Sequence, residues 1–167
     1  MFGIAFILYF LERTEQTMTE TTDKTAEELL EGVYRNVRMC ADSLLDLLPH
    51  VQDEKLKSDL TVQISVYEAF SSRAAKEMKD TGATPAETNP MARFSAKMGT
   101  FWHTLKDSST PHIAQMVLEG TTMGVGNLLR ALRDAENAGV SENILSLARD
   151  VCAYEERVTE EIKTYLK

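Results

Sequence analysis

Four glutamates recur at matching places in the two halves of the chain, and they are the residues best suited to chemistry. Glu31 and Glu119 each stand between a leucine and a glycine, whereas Glu68 and Glu155 each follow a tyrosine. Carboxylates can ligate metal ions, so a repeated set of them is a candidate site. The repeats are short, and either a duplicated pair of helices or chance accounts for them.

Glu155 is the member of this set that lies on an apolar helix face. On a helical wheel of about 100° per residue, Glu31 and Glu119 lie more than about 100° from the centres of their apolar faces, and Glu68 lies about 80° away. A carboxylate among apolar side chains is costly unless it is paired or hydrogen-bonded. Tyr67 or Ser71 of the second helix, Tyr34 of the first, or a basic residue could pair with it. Two interpretations follow: a hydrogen bond to a tyrosine or serine hydroxyl that fixes the register of the helices, or a site for a metal or small cation.

The histidines and cysteines do not form a second candidate site. The pattern places His50 in a loop, His112 at a helix start and His103 away from an apolar face, which favours surface positions. Cys40 and Cys152 belong to no Cys-x-x-Cys pattern and fall on or beside apolar faces, so we expect small buried apolar residues. The sequence also lacks a nucleophile elbow, a phosphate-binding glycine loop and a dinucleotide fingerprint. These observations predict a protein that is not an enzyme and has no cofactor.

Apolar residues spaced alternately three and four apart predict four long helices that would position these glutamates. We expect them over about residues 25–48, 53–82, 110–138 and 141–167, with Pro49 ending the first helix and Gly82 close to the end of the second. The inward row predicted for the second helix is Leu56, Leu60, Ile64, Tyr67, Ser71, Ala74 and Met78. Thr25 and Glu28 match a capping box at the first start, and Asp53 and Thr110 are suitable N-caps for the second and third helices. Gly139 is suited to the end of the third helix.

Short loops join the first two and the last two long helices, so each pair is predicted to form an antiparallel hairpin. About 30 residues separate the hairpins, and they include a shorter, aromatic helix over about 91–106. Gly120, Gly124 and Gly126 fall inside the third long helix, where each glycine costs about 0.8–1 kcal/mol relative to alanine. We expect the aromatic helix to approach these glycines closely. The other interpretations are a kink, or a surface that admits a ligand or a second subunit.

A long crossover between two helical hairpins resembles the arrangement of the ferritin-like superfamily. Over about residues 25–167 the chain is also similar to a group of small proteins of clostridial-type bacteria. The similar residues are Asn89-Pro90-Met91, His112 to Met116 and Glu119 to Gly124. The resemblance implies an all-α, ferritin-like four-helix bundle with a short crossover helix, and it implies no particular activity.

Active di-iron members of that superfamily use a glutamate on two helices and Glu-x-x-His on the other two. Here Ser71 and Val158 stand where the histidines after Glu68 and Glu155 would fall. We therefore predict a non-catalytic protein that acts through self-association or a protein partner. The alternative is a degenerate, carboxylate-only iron or manganese site built from Glu155 and Glu68.

Composition limits the remaining choices. A chain of 167 residues is long enough for one domain with a real core. Its net charge of −8 disfavours nucleic-acid binding. The apolar run over residues 1–11 is too short to span a bilayer, so we expect no membrane span and a cytoplasmic protein.

Residues 1–24 are interpreted as a disordered extension or an over-extended gene start with Met18 as the true beginning, a short anchor being the alternative. Residues 25–167 form the predicted domain.

Overall fold

The computed structural model describes residues 2–82 and 107–167, with side chains from residue 12 onward. Within these residues the chain forms four α-helices, and short 3₁₀ turns follow the first and the last of them. The helices are α1 (Phe2–Leu47), α2 (Glu54–Asp80), α3 (Thr110–Asn137) and α4 (Glu142–Ile162), with the turns at Leu48–His50 and Lys163–Tyr165. The predicted crossover helix over 91–106 lies outside the described residues.

The helices pack as two hairpins, as the sequence predicts. Contacts between α1 and α2 and between α3 and α4 are the most extensive in the described part of the chain. The spacing of apolar residues identified the buried face of α2 correctly. The predicted row, confirmed as buried, is Leu56, Leu60, Ile64, Tyr67, Ser71, Ala74 and Met78.

Several predicted helix ends are confirmed. The Asp53 carboxylate accepts a 2.7 Å hydrogen bond from the backbone N–H of Leu56 and caps α2. Pro49 lies in the 3₁₀ turn that follows α1. Gly82 and Gly139 follow α2 and α3 with φ values of +76° and +72°, a backbone conformation that favours glycine.

Two predicted helix starts were wrong. Helix α1 begins at Phe2 and not near Thr25. The Thr25 hydroxyl donates to the carbonyl of Thr21 inside the helix, so Thr25 forms no capping box. Ser109, and not Thr110, occupies the N-cap of α3, with proline in the first turn. The assignment of residues 1–24 as an extension outside the domain stays a prediction.

Helices α1 and α3 run antiparallel along the bundle. Near the start of the bundled part of α1, the Thr22 hydroxyl donates a 2.8 Å hydrogen bond to the carbonyl of Ala138, just after α3. At the opposite end, the Gln52 amide donates a 3.3 Å hydrogen bond to the Ser108 hydroxyl, just before α3. The candidate site lies between these two connections.

Candidate ligand-binding site

A groove of about 550 Å³ lies between α1 and α3. It extends along α1 from Gly32 to Leu47, a length of about 22 Å at 1.5 Å per residue. Its lining is mostly apolar, and Tyr67 of α2 also contributes to it. Representative lining residues are Met39, Cys40, Leu44, Met116, Val117, Thr121 and Leu128.

Glycines shape the wall that α3 presents to this groove. A Cβ atom added to Gly124 would lie 2.6 Å from Oδ1 of Asn36, so the side chain of α1 occupies the space that alanine would need. An added Cβ at Gly120 or Gly126 would meet no atom of the described residues within 4 Å. Among the described residues, a neighbouring helix approaches closely at Gly124, where the contact is Asn36 of α1. The predicted approach of the aromatic helix stays a prediction. The aromatic helix expected at this position lies outside the described residues.

Glu155 of α4 is fully buried, at 0% exposure. Its Oε1 atom accepts a 2.7 Å hydrogen bond from the Asn36 side-chain amide and a longer one, 3.7 Å, from the Cys40 thiol. Its Oε2 atom has no hydrogen-bond partner in the described part of the chain. The predicted burial is confirmed, but the predicted hydroxyl partner was wrong. Asn36 and Cys40 are four residues apart and share one face of α1, which brings both donors to the carboxylate.

Tyr67 of α2 lines the groove and is 1% exposed. Its hydroxyl makes no hydrogen bond of ordinary geometry among the described residues. Burial raises its pKa, and the Cys40 thiol is a neighbouring polar group that raises it further. The Tyr67 ring packs edge-on against Tyr154, with the ring centres 5.4 Å apart and an interplanar angle of 85°. This contact orients the ring within the core.

Burial controls the charge of these groups. It raises the pKa of Glu155 to about 7, although the hydrogen bonds from Asn36 and Cys40 oppose the change. Burial also raises the pKa of the Cys40 thiol and of the Tyr67 hydroxyl far above their ordinary values, and the nearby Glu155 charge adds to both effects. At neutral pH the thiol and the phenol are therefore neutral, and the raised pKa lets the Glu155 carboxyl keep its proton to a higher pH than an ordinary glutamate.

The structure does not bring the four repeated glutamates together. Glu31 pairs with Arg35 at 2.9 Å on the partly exposed face of α1. Glu119 and Glu68 are exposed. Only Glu155 of the four lies in the core, which agrees with the positions predicted from the helical wheel.

The histidines and cysteines are placed as follows. His112 is exposed at the start of α3, as predicted, whereas His50 is half-buried in the turn after α1. His103 lies outside the described residues. Cys152 is buried as predicted, but Cys40 is only partly buried as a residue, and its thiol donates to Glu155 instead of serving as a purely apolar group.

The donors around Glu155 do not fit a dinuclear carboxylate centre. Such a centre needs several inward carboxylates and histidines from different helices. Among the described residues, no group of three or more His, Cys, Asp or Glu side chains could hold a metal ion. The Asn36 side chain presents its NH₂ group to the carboxylate, and this group is a hydrogen-bond donor with no lone pair for a cation. The prediction of a carboxylate-only site at Glu155 and Glu68 stays a prediction.

Sequence reasoning overlooked Asn36, which links the groove to Glu155. It lies beside the apolar row of α1 and matches no motif. The available signal was a polar residue four positions before Cys40, on the same helix face. Tyr67 was recognised as a core residue and as a possible partner for Glu155, but its unpaired hydroxyl depends on how α1, α2 and α4 pack together.

Comparison with known proteins supports the fold assignment. A solved structure described as "ferritin like, diiron-carboxylate proteins" from Bacillus anthracis str. Ames matches with a TM-score of 0.62 at 16% sequence identity. The match covers 86% of this chain and 98% of that chain. No family model matches the sequence, and no curated protein matches it. The fold is thus a ferritin-like four-helix bundle, which confirms the predicted fold class. The finer resemblance to clostridial-type proteins stays a prediction.

Among the described residues, no helix combines the length and apolar character needed to cross a bilayer.

Proposed function

We propose that this protein is a non-catalytic, cytoplasmic ferritin-like bundle that binds a small, mostly apolar molecule in the groove between α1 and α3. The observation that carries the proposal is the mostly apolar groove itself, whose lining includes Tyr67, a buried side chain with a hydroxyl that makes no hydrogen bond of ordinary geometry in the described part of the chain. Buried polar groups are normally hydrogen-bonded, and an exception calls for a water or a ligand.

The dimensions and lining of the groove agree with this role. Small-molecule sites are commonly about 300–1,000 Å³, mostly apolar, and carry a few polar groups. The groove has a volume of about 550 Å³ and is lined mainly by carbon atoms. A ligand lying along it would cover the side chains of Met39, Leu44 and Met116.

The charge states of the polar groups favour binding over catalysis. A nucleophilic cysteine acts as a thiolate with a lowered pKa. Burial and the Glu155 carboxyl instead raise the pKa of Cys40. The thiol is held as a donor to a carboxyl that is itself shielded from solvent.

Fluorescence titration with N-phenyl-1-naphthylamine, an uncharged apolar probe, tests the proposal. Gly120→Leu would place a side chain in the groove, whereas Gly126→Leu makes the same change on α3 at a residue that does not line it. We expect the wild type and Gly126→Leu to bind the probe and Gly120→Leu to bind it at least about tenfold more weakly. Equal binding by both variants, or no binding by the wild type, would overturn the proposal.

Self-association through the same groove is the second candidate function. Met123 lines the groove and is 68% exposed, so a helix from another copy would gain by covering it. Light scattering coupled to size-exclusion chromatography distinguishes the two functions. A dimer that dissociates on Met123→Glu, with Met18→Glu as the exposed control on α1, would favour self-association.

The iron or manganese alternative has its own test. The support for it is the unpaired Oε2 atom of buried Glu155. Anaerobic titration with Fe²⁺ and with Mn²⁺, followed by metal analysis, would reveal stoichiometric binding. Loss of that metal in Glu155→Ala, with retention in the exposed control Glu156→Ala, would favour the metal-binding function over the ligand-binding one.

A further inference from the structure

We propose that the ligand is a single unbranched hydrocarbon chain of about 18 carbons, which lies along the groove with its polar end beside Arg35. This inference rests on the proposed function and names the chemical class of the ligand. Three features of the groove carry it: the matched walls, the narrow cross-section and the change in polarity from one end to the other.

The groove is straight because its two walls keep one register. Three contacts fix the register of α1 against α3, and they join Thr22 to Ala138, Asn36 to Gly124 and Gln52 to Ser108. Each step toward the C-terminus of α1 is therefore matched by one step toward the N-terminus of α3. The lining residues span positions 32–47 on α1 and 116–131 on α3, so both walls are about 22 Å long. A ligand that fills this groove must be long and extended.

The groove has the cross-section of one hydrocarbon chain. Its volume of about 550 Å³, divided by the length of about 22 Å, gives a mean cross-section of about 25 Å². A methylene group takes up roughly the volume of a water molecule in the liquid, about 30 Å³. It adds about 1.25 Å to a staggered chain of C–C bonds about 1.5 Å long. The length and the volume thus each correspond to about 18 carbons, and a branched chain or fused ring system is wider than the groove.

Polarity changes along the groove. Arg35 and Asn127 line it near one end, and Arg35 is the charged lining residue in the part of the chain that the structure describes. Its guanidinium donates to Glu31 at 2.9 Å, and arginine carries further N–H donors that a polar end group can use. Leu44 and Leu47 line the opposite end. An amphiphilic chain therefore places its polar end beside Arg35 and its tail toward Leu47.

Displacement of N-phenyl-1-naphthylamine by straight-chain carboxylates of 10, 14, 18 and 22 carbons tests the length. Each acid is kept below the concentration at which it aggregates. We expect the affinity of the wild type to rise at least about tenfold with each four carbons up to 18, because every added methylene is removed from water. From 18 to 22 carbons the affinity should change less than about threefold, because the additional methylenes extend beyond the groove.

A branched acid tests the cross-section. The ligand 3,7,11,15-tetramethylhexadecanoate has the main chain of hexadecanoate and four additional methyl groups. Burial of apolar area alone would make it bind more tightly. We expect it to bind at least about tenfold more weakly than hexadecanoate, because its methyl branches do not fit between matched walls.

Two variants of α1 test where the tail lies. Ser43 lines the groove about 6 Å before Leu47, so Ser43→Phe should fill its apolar end. Leu45→Phe is the control, because Leu45 is 50% exposed and does not line the groove. Ser43→Phe should bind the 18-carbon acid no more tightly than the 14-carbon acid and should bind the 10-carbon acid as the wild type does. Leu45→Phe should retain the full dependence on length, and circular dichroism checks that both variants are folded.

Two arginine variants test where the polar end lies. Arg35 and Arg38 each pair with a carboxylate four residues away on α1, but only Arg35 lines the groove. Arg35→Gln should weaken the binding of tetradecanoate at least about threefold and leave that of 1-tetradecanol unchanged, because the alcohol has no charge to lose a partner. Arg38→Gln should bind both ligands as the wild type does. Equal effects of the two substitutions would overturn the assigned orientation.

The two proposals fail in different ways. If the uncharged probe does not bind, or binds equally to Gly120→Leu and Gly126→Leu, the proposed function fails. If Gly120→Leu blocks the probe, but chain length has no effect or the branched acid binds as tightly as hexadecanoate, the proposed function stands and the assignment of the ligand class is overturned.

Discussion

The Asn36 side-chain amide donates a 2.7 Å hydrogen bond to the Glu155 carboxylate across the interface of α1 and α4. The other end of the same amide, Oδ1, fills the space in front of Gly124 on α3. One side chain thus connects three helices and joins the groove to the buried carboxyl. Changes in the charge of Glu155 or in the size of residue 124 should act through Asn36.

Glu155→Gln should remove a pH dependence from the stability of the bundle. The folded protein holds the Glu155 proton with a pKa of about 7, against an ordinary value of 4.5. The contribution of this group to stability is therefore complete below about pH 4.5 and is lost as the pH rises through about 7. The amide of the variant does not ionise, so at pH 8 we expect Glu155→Gln to be more stable than the wild type by up to about 3 kcal/mol. Urea unfolding at pH 5 and at pH 8 measures the difference.

The control for this prediction is Glu156→Gln, a neighbouring exposed position on the same helix. It should follow the wild type at both pH values to within about 0.5 kcal/mol, as surface substitutions commonly do. An unfolding free energy of Glu155→Gln that parallels that of the wild type from pH 5 to pH 8 would show that the carboxyl has an ordinary pKa.

Asn36→Ala should destabilise the protein in a pH-dependent way. The substitution removes the amide donor, and hydrogen bonds to ionised groups contribute about 1.5–3 kcal/mol when buried. Because Asn36 is only partly buried, we expect a loss of about 1–2 kcal/mol at pH 8 and a smaller loss at pH 5, where Glu155 is protonated. Asn127→Ala, on the exposed rim of the groove, is the control. A loss of equal size at both pH values would contradict the assigned role of the amide.

Three glycine substitutions on α3 separate helix propensity from steric contact. The new methyl groups of Gly120→Ala and Gly126→Ala meet no atom of residues 12–82 or 107–167, so each substitution should stabilise the protein by about 0.5–1 kcal/mol. The methyl group of Gly124→Ala must displace the side-chain oxygen Oδ1 of Asn36, which disturbs the hydrogen bond from the same amide group to Glu155. This variant should therefore lose most or all of the stability gained from helix propensity. Thermal or urea unfolding measures all three.

The double variant Asn36→Ala/Gly124→Ala identifies the cause. In the Asn36→Ala background the obstructing atom is gone, so Gly124→Ala should stabilise by about the same amount as Gly120→Ala. If Gly124→Ala remains unfavourable without Asn36, the contact responsible is a different one.

The Cys40 thiol should react slowly in the folded protein. Burial and the Glu155 carboxyl both raise its pKa, which leaves almost no thiolate at pH 8. We expect iodoacetamide to modify Cys40 at least about a hundredfold more slowly in the native protein than in urea, as followed by mass spectrometry of its peptide. Glu155→Gln should speed the native reaction, because the nearby charge is removed. Native modification at the rate of a free thiol would contradict the described packing.

The sequence predicted those features that depend on periodic spacing. The buried row of α2 and the burial of Glu155 follow from residues three and four apart, which remain on one face whatever the neighbouring helices do. The partner of Glu155 could not be predicted in this way. It depends on the rotation of α1 against α4, and that rotation turns Asn36 toward the carboxyl, whereas no tyrosine or serine hydroxyl reaches it within the described residues.

The start of α1 shows why local signals also mislead. Thr25 and Glu28 match a capping box, but the residues before Thr25 include good helix formers such as Glu20 and Lys24, which let the helix continue. Threonine hydroxyls in this stretch donate to the carbonyl four residues earlier, as Thr25 does to Thr21. A capping residue ends a helix only when the preceding chain prefers another conformation.

The length of α1 has a consequence for how unfolding of this protein is observed. With 46 residues α1 is about 69 Å long, whereas α2, with 27 residues, is about 40 Å long. Residues 12–21 are exposed throughout, and the Thr22 hydroxyl makes the contact with the segment after α3. The far-ultraviolet helical signal therefore sums the whole length of α1 with the other helices, whereas a signal from the core, such as that of buried Tyr67, reports the packing of the bundle alone.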